Sequence, residues 1–422
     1  MRKIYTSIDI GSDTVKFLVG EATNDKINVL SHATVKSRGI RKGLIIDANL
    51  AVNTIKDGIK LISEDLGFPI KEVIVNVPDY NVKFMYVTGK ITVDGIIDTD
   101  CVNKVIKDSV YNKLDKDYEL VTVIPLDFII DGNGGNSYPT GIECKILEIK
   151  GIMVTVPKKN IYSVLSVMEG ANLDVQDITI SGLADYFQVR NKKLDTKVGA
   201  IINIGHETTH VSVINQGKLM NTDILQLGGV NVENDLAYVF GINIIDARKI
   251  KEKFATSHKR FTNLNEVYEV KNTLGNMVKL NQMEVSEVVQ SRLAEILKLA
   301  KKQINLLTKR DIDYIIITGG VTESKYFKNL VYEILGKDVI IYLMDVIGIR
   351  DNMYTTALGM IKGFINKMDV RGKNEYSMVT KEEEDIMLTP DNKVKKDKMV
   401  VSKIFKGFIK NKEEQEWIIC LV

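Results

Sequence analysis

Apolar positions along this chain recur with two spacings, and the changes of spacing mark its elements. Near the start, Ile8 and Ile10 lead into the polar turn Gly11-Ser12-Asp13, and Val15, Phe17, Leu18 and Val19 follow it. That pattern predicts two short strands joined by a tight turn over residues 8–20. Alternation at Ile27, Val29 and Ala33 continues the sheet over 26–35. The spacing then becomes helical. Val52, Ile55, Ile59 and Ile62 share a face, Asp47 stands at the N-cap, and Gly67-Phe68-Pro69 ends the run after Leu66. Residues 72–77 read as a buried strand. From about 82 to 157 the texture changes to short strands (120–124, 128–130, 146–149), a turn cluster at 131–136 and one helix near 99–114, which predicts a small α+β insertion. A helix over 159–169, a strand over 175–180 and a helix over 182–189 capped by Ser181 complete the first half, and the polar linker 191–197 marks a boundary.

The second half repeats the opening theme. Residues 198–204 read as a strand, Gly205-His206-Glu207-Thr208-Thr209 as a polar turn and 210–214 as the returning strand. Two such hairpins, about 195 residues apart, read as an internal repeat facing one ligand. Gly228-Gly229 opens a helix to Phe240, placing bare backbone N–H groups near that ligand. Helices follow over 246–254 and 286–308, the second with Leu293, Ile296, Leu297, Ala300, Ile304 and Leu307 on one face. A strand over 312–317 runs into Thr318-Gly319-Gly320-Val321, with a helix from Glu323 and a last core helix over 354–364. The expected domains are 1–81 with 158–193, an insertion at 82–157, a second half at 194–369, a flexible tether at 370–399 and a tail at 400–422. In the tail, Val400, Val401, Ile404, Phe405, Phe408 and Ile409 share half of a helical wheel, and Lys403, Lys406 and Lys410 the other half. This is the pattern of a helix lying in a bilayer interface, too short and too charged to span.

Composition narrows the options. The 422 residues suffice for two or three domains, and a net charge of +2 argues against nucleic acid as partner. Cys101, Cys144 and Cys420 lack metal-ligand spacing and read as reduced thiols. No membrane span or signal stretch stands out, so the chain is expected in the cytoplasm. In the first turn Gly11 permits close approach, Ser12 can donate to phosphate, Lys16 supplies a point charge, and Asp9 could hold the water shell of a magnesium ion. An ordinary surface turn uses the same residue types, and for this stretch alone both readings stand. Gly319 and Gly320 permit approach to a base or ribose, and a simple strand-to-helix turn would also use them.

Taken together, these pieces resemble the actin/Hsp70/sugar-kinase ATPase superfamily, with phosphate 1 at residues 9–16, phosphate 2 at 203–209, adenosine at 318–321 and a connecting helix near 179–186. The resemblance is closer to its FtsA cell-division family. Ser37-Arg38-Gly39-Ile40-Arg41-Lys42-Gly43, Pro125-Leu126-Asp127-Phe128-Ile129-Ile130-Asp131-Gly132, Gly228-Gly229-Val230-Asn231-Val232 and Asp235-Leu236-Ala237 carry it, and the insertion sits where that family has subdomain 1C. The resemblance covers about residues 1–364 and extends to a tether ending in an amphipathic segment.

It implies an α/β, actin-like ATPase fold, with two similar halves around a nucleotide cleft. It implies ATP and Mg2+ as cofactors, held by Asp9, Gly11, Ser12, Lys16, Asn203, Gly205, Thr208, Gly228, Gly229, Lys251, Gly319 and Gly320, with Asp9 toward the metal. It implies a scaffold that tethers FtsZ filaments to the cytoplasmic membrane at the division site. The C-terminal peptide of FtsZ would dock on subdomain 2B near Arg292, Lys298 and Lys302, with Lys309 on the same stripe. Copies would polymerise, and Lys403, Ile404, Lys406, Phe405, Phe408 and Ile409 would meet lipid. Phosphate 2 departs from the superfamily's Asp-x-Gly-Gly-Gly-Thr. It reads Asn203-Ile204-Gly205-His206-Glu207-Thr208. Asn203 is neither an anionic partner for hydrated magnesium nor a base, so weak or no ATPase activity is expected. His206 and Glu207 could partly replace the missing chemistry, and surface variation is the expected reading. A type IV pilus-assembly actin homologue and a sugar kinase are the alternatives.

Overall fold

The computed structural model describes residues 2–23, 26–373 and 375–387. The described residues form two compact units: those up to 188 with 345–349 and 356–387, and those of 189–344 with 350–355.

The first unit opens with β1 (Lys3–Ile10), β2 (Thr14–Thr23) and β3 (Lys26–Lys36), an antiparallel meander. A two-stranded clip, β4 (Ile40–Arg41) and β5 (Leu44–Ile45), leads to α1 (Ala48–Leu66). The Asp47 carboxylate accepts from Leu50 N at its start, and left-handed Gly67 closes it. Helix α1 lies on the sheet at Gly58, where a Cβ would fall 2.0 Å from the Phe17 ring. Next come β6 (Glu72–Val77), β7 (Lys83–Ile96), α2 (Thr99–Val110), β8 (Tyr118–Ile130), β9 (Asn133–Asn136), β10 (Glu143–Pro157), α3 (Lys158–Glu169), β11 (Asp174–Ile180) and α4 (Ser181–Val189). The main sheet runs β11-β6-β1-β2-β3, and the insertion has its own sheet, β7-β10-β8-β9. Val87, Val102, Val105, Phe128, Leu147 and Ile149 fill the insertion's core.

The two strands expected around Pro125 are one, β8. A register shift between Lys150 and Gly151 lets Pro125 sit opposite Gly151, and such a bulge is where a sheet tolerates proline. The expected turn cluster contributes β9, whose Gly135 and Asn136 amides donate to the Asp127 carboxylate at 2.7 and 3.1 Å.

The second unit repeats the meander with β12 (Val198–Ile204), β13 (Thr209–Asn215) and β14 (Lys218–Leu225). Then come α5 (Gly229–Phe240), α6 (Ile244–Lys253), β15 (Val267–Lys271), β16 (Met277–Asn281), α7 (Gln282–Leu307), β17 (Tyr314–Thr318), α8 (Phe327–Leu335) and β18 (Val339–Ile341). Its sheet runs β14-β13-β12-β17-β18. The β15–β16 hairpin was not legible in the sequence, because only Val270 and Leu280 of its residues are buried. Helix α7 buries Leu293, Ile296, Leu297, Ala300 and Ile304 as its spacing predicts. It ends at Leu307, so Lys309 lies beyond the helix that was expected to carry it. No helix starts at Glu323. A 3-10 turn spans Gly320–Glu323, and α8 begins at Phe327.

The chain then returns to the first unit as α9 (Thr355–Val370) and α10 (Lys381–Met387). Here the structure differs from the tether expected from residue 370. Strand β1 pairs with β6 only at Ser7 and Ile8. At Ile4 the segment before α10 takes the open edge: Met378 N donates to Ile4 O at 2.9 Å and Ile4 N to Ser377 Oγ at 3.1 Å. Met378, Val379 and Met387 are buried, Tyr376 O–H donates to Glu72, and Lys71 meets Glu383 at 3.0 Å. Few apolar groups and paired charges hold the segment, a combination that composition alone reads as solvated chain. Among the described residues no helix is long and apolar enough to cross a membrane.

Candidate functional site

In the first unit the β1–β2 register sets Asp9 opposite Lys16, and their charges lie 3.2 Å apart with side chains 9% and 14% exposed. Asn76, on neighbouring β6, organises the strand end. Its Nδ2 donates to Asp9 Oδ1 at 3.0 Å and to Ser181 Oγ at 3.1 Å, and its Oδ1 accepts from Ile10 N at 2.7 Å. The loop 37–43 braces the turn from outside. Ser37 Oγ donates to Gly11 O, Gly43 N donates to Ser12 Oγ at 2.8 Å, and Lys36 pairs with Asp13. With its oxygen accepting from Gly43, Ser12 has its own proton to give to a phosphate oxygen. Ser181 is not the cap expected for α4. The buried Asp79 carboxylate accepts from Ser181 N and Gly182 N, each at 2.8 Å, and fills that role.

In the second unit Gly205 N donates to Thr208 O at 2.9 Å and closes the turn. The N-terminus of α5 rests directly on it. Gly229 N donates to Gly205 O at 3.0 Å, Val230 N to His206 O at 2.7 Å, and Gly228 N to Asn231 Oδ1 at 2.9 Å. Of the N–H groups expected to be bare, those of Gly229 and Val230 are spent on the turn and that of Gly228 on the Asn231 side chain. Gly228 is required for contact, since a Cβ there would lie 2.6 Å from both Gly205 O and His206 O. Parallel pairing sets Asn203 beside Thr318, and the chain passes through Gly319 at φ +96. A Cβ on Gly319 would fall 2.4 Å from Asn203 Oδ1 and 2.5 Å from Ile204 O, so only glycine brings this motif against phosphate 2. Gly320 begins the 3-10 turn. Thr208 is buried in the turn, its Oγ1 3.5 Å from His210 Nε2.

Glu233, on α5, was not anticipated. It is 2% exposed, and its carboxylate bridges His206 Nε2 at 3.3 Å and Lys251 Nζ of α6. Burial alone would raise its pKa. The His206 hydrogen bond and the Lys251 charge outweigh burial and hold it below the ordinary glutamate value. His206 is thus a structural partner and not surface variation. Glu323, beside the adenosine motif, is pushed the other way by burial and by Asp351.

Taken separately, each turn offers groups of a kind that suits phosphate: an ammonium and a hydroxyl in the first unit, a threonine and close-packed backbone in the second. For magnesium the fit is looser. Among the described residues no group of three or more His, Cys, Asp or Glu side chains is placed to hold a metal. Asp9 would meet the ion as a single carboxylate acting with phosphates and water, the usual manner for magnesium at nucleotides.

A family model described as "Cell division protein FtsA" matches residues 200–359, and one described as "SHS2 domain inserted in FTSA" matches residues 80–155. The second match coincides with the β7-β10-β8-β9 insertion. Cell division protein FtsA of Bacillus subtilis (strain 168) is 26% identical over 377 residues, 88% of this chain and 86% of that protein. The chain belongs to the FtsA cell-division family. Among solved structures, a PilM–PilN type IV pilus biogenesis complex aligns with TM-score 0.54 at 13% identity, over 87% of this chain and 98% of the other. MreB5 of Spiroplasma citri bound to ADP aligns with TM-score 0.53 at 11% identity, over 89% and 99%. At such identities these two likenesses speak for the fold alone, which is the actin-like ATPase fold with an FtsA-type insertion.

The FtsA resemblance also named partner residues. Lys298 and Lys302 are exposed on α7. Arg292 is not available in the same way: its guanidinium grips Asp235 on α5 at 2.6 and 3.0 Å and pairs with Glu295. Asp235, held below α7 by this bidentate contact, explains why an arginine sits there. The membrane residues Lys403, Ile404, Phe405, Lys406, Phe408 and Ile409 lie outside the described residues.

Proposed function

We propose that this FtsA-family chain is an ATP-binding, actin-like scaffold that anchors FtsZ filaments to the cytoplasmic face of the cell membrane at the division site and assembles with copies of itself. The observation that carries the nucleotide part is the Asp9–Lys16 pair, two largely buried opposite charges at the mouth of a tight turn whose Ser12 hydroxyl has a proton to donate. Lys16 would neutralise phosphate charge, and Asp9, aligned by Asn76, would orient the water shell of Mg2+. From the second unit, Gly205 and Thr208 would meet the phosphates, and Lys251 and Gly319-Gly320 the nucleoside. ATP with Mg2+ would supply the charge that orders the two turns on one ligand. Asn203 offers no anionic partner and no base, so turnover is slow and ATP serves assembly.

Attachment would use two further surfaces. The α7 lysines Lys298 and Lys302 suit a short acidic and apolar peptide such as the FtsZ C-terminus. The basic amphipathic pattern of residues 400–410 suits an anionic bilayer, at ~1 kcal/mol per lysine near the surface. The test is recruitment of FtsZ filaments to anionic vesicles by the full chain. Truncation before Val400, or Phe405→Glu with Phe408→Glu, abolishes recruitment while ATP binding persists. Vesicle co-sedimentation of the double variant equal to that of the unchanged protein would rule out the anchor. Undiminished peptide capture after charge reversal at Lys298 and Lys302 would rule out that face.

A further inference from the structure

His206 stands where the superfamily pattern has glycine, and the structure gives it a partner that no glycine could reach. Two backbone bonds seat the phosphate 2 turn on α5, Gly229 N to Gly205 O and Val230 N to His206 O. Both lie on consecutive residues and so hold the turn along one line. The His206 ring adds a third contact off that line, reaching Glu233 Oε2 at 3.3 Å, one helical turn beyond Gly229. The other oxygen of Glu233 is taken by Lys251 from α6. One buried carboxylate thus joins the turn, α5 and α6 at a single node, ionised because His206 and Lys251 outweigh its burial. The place where a Gly229 Cβ would stand is 3.4 Å from Lys251 Nζ, so this node adjoins the point where turn and helix meet.

We infer that His206 is a positioning residue: through Glu233 it fixes the turn from Gly205 to Thr208 relative to Lys251, and so sets the distance between phosphate and nucleoside contacts on a bound nucleotide. This rests on the nucleotide reading above. A ring that only filled space would affect every ligand alike. A strut that sets spacing matters for ligands that engage both ends. A misplacement of about 1 Å is enough to weaken a polyphosphate contact severely.

The experiment compares ATP, ADP and AMP affinities for the full chain and for His206→Ala, His206→Asn and His206→Gln. Glutamine carries a donor at similar reach, and asparagine falls short. Alanine and asparagine should weaken ATP and ADP by about tenfold, the loss expected for one bond to a charged group, leave AMP nearly unchanged, and be rescued by glutamine. Equal weakening of all three ligands, no weakening, or failure of glutamine to rescue would overturn the inference. Should the alanine protein not fold, the asparagine and glutamine pair decides alone. Hydrogen exchange without ligand gives an independent reading: the Gly229 and Val230 amides should exchange faster in the alanine and asparagine variants and at the original rate in the glutamine variant. Unchanged exchange throughout would overturn the strut. Absence of ATP binding by the unaltered chain would refute the nucleotide reading, and exchange would still decide the strut.

Discussion

The two hairpins share a topology and differ in how they are held. The first is braced by neighbours in its own sheet and by the loop that follows it: Asn76, Ser37 and Gly43 orient Asp9, Gly11 and Ser12. Its charged pair faces itself across two strands. The second has a neutral Asn203 at the matching strand end and is held from a distance, by the α5 N-terminus, Glu233 and Gly319. One turn therefore carries its chemistry in local side chains. The other carries its geometry in backbone contacts supplied by later parts of the chain. A charge removed from the first should cost ligand affinity, and a contact removed from the second should cost shape.

The largest expected effect follows from that contrast. Gly319→Val places a side chain against backbone at a left-handed φ, which should destabilise the second unit by about 2–4 kcal/mol. Denaturant unfolding of the variant, followed by hydrogen exchange in each unit, measures it. An unchanged second unit would show that the close approach is not needed. Lys16→Ala comes next. It should leave the fold intact and weaken ATP by about 1.5–3 kcal/mol, read by titration calorimetry. Loss of stability in place of affinity would erase the distinction between the hairpins.

Asn203→Asp sharpens the comparison by giving the second strand end the charge of the first. Hydrolysis should rise several-fold in a steady-state phosphate-release assay. Turnover of the unaltered chain above ~1 per second would contradict the slow-hydrolysis reading. The smallest effect concerns pH. The folded pKa of Glu233 lies below its unfolded value, so its stabilisation is present above the ordinary glutamate range and is lost as pH falls through the lower folded value. Glu233→Gln should flatten the acid limb of the second unit's stability curve. An acid limb identical in both proteins would remove Glu233 from the account.

The legibility of the two hairpins in the sequence follows the same division. The turn at Gly11, Ser12 and Asp13 was legible because a polar turn between apolar runs is local information. Gly205 and Thr208 were legible for that reason, and so was the repeat. Glu233 was not, since a carboxylate within an amphipathic helix ordinarily faces water. Only the fold brings Lys251 and His206 to it. Gly228 and Gly229 were found as a helix start, but the sequence does not show that the Gly205 carbonyl takes the Gly229 N–H and the Asn231 side chain the Gly228 N–H. The segment 376–387 was hidden by composition, since Glu383 and Tyr376 find partners at Lys71 and Glu72 that lie some 300 residues earlier. Pro125 suggested a strand break where a bulge absorbs it.

The proposed function requires that both hairpins serve one nucleotide. Titration of ATP with Mg2+ into the chain, and into Lys16→Ala and Thr208→Val, tests it most directly. The account predicts one ATP per chain, with each single variant weakening that same site. Two independent sites, or a site indifferent to either substitution, would contradict it.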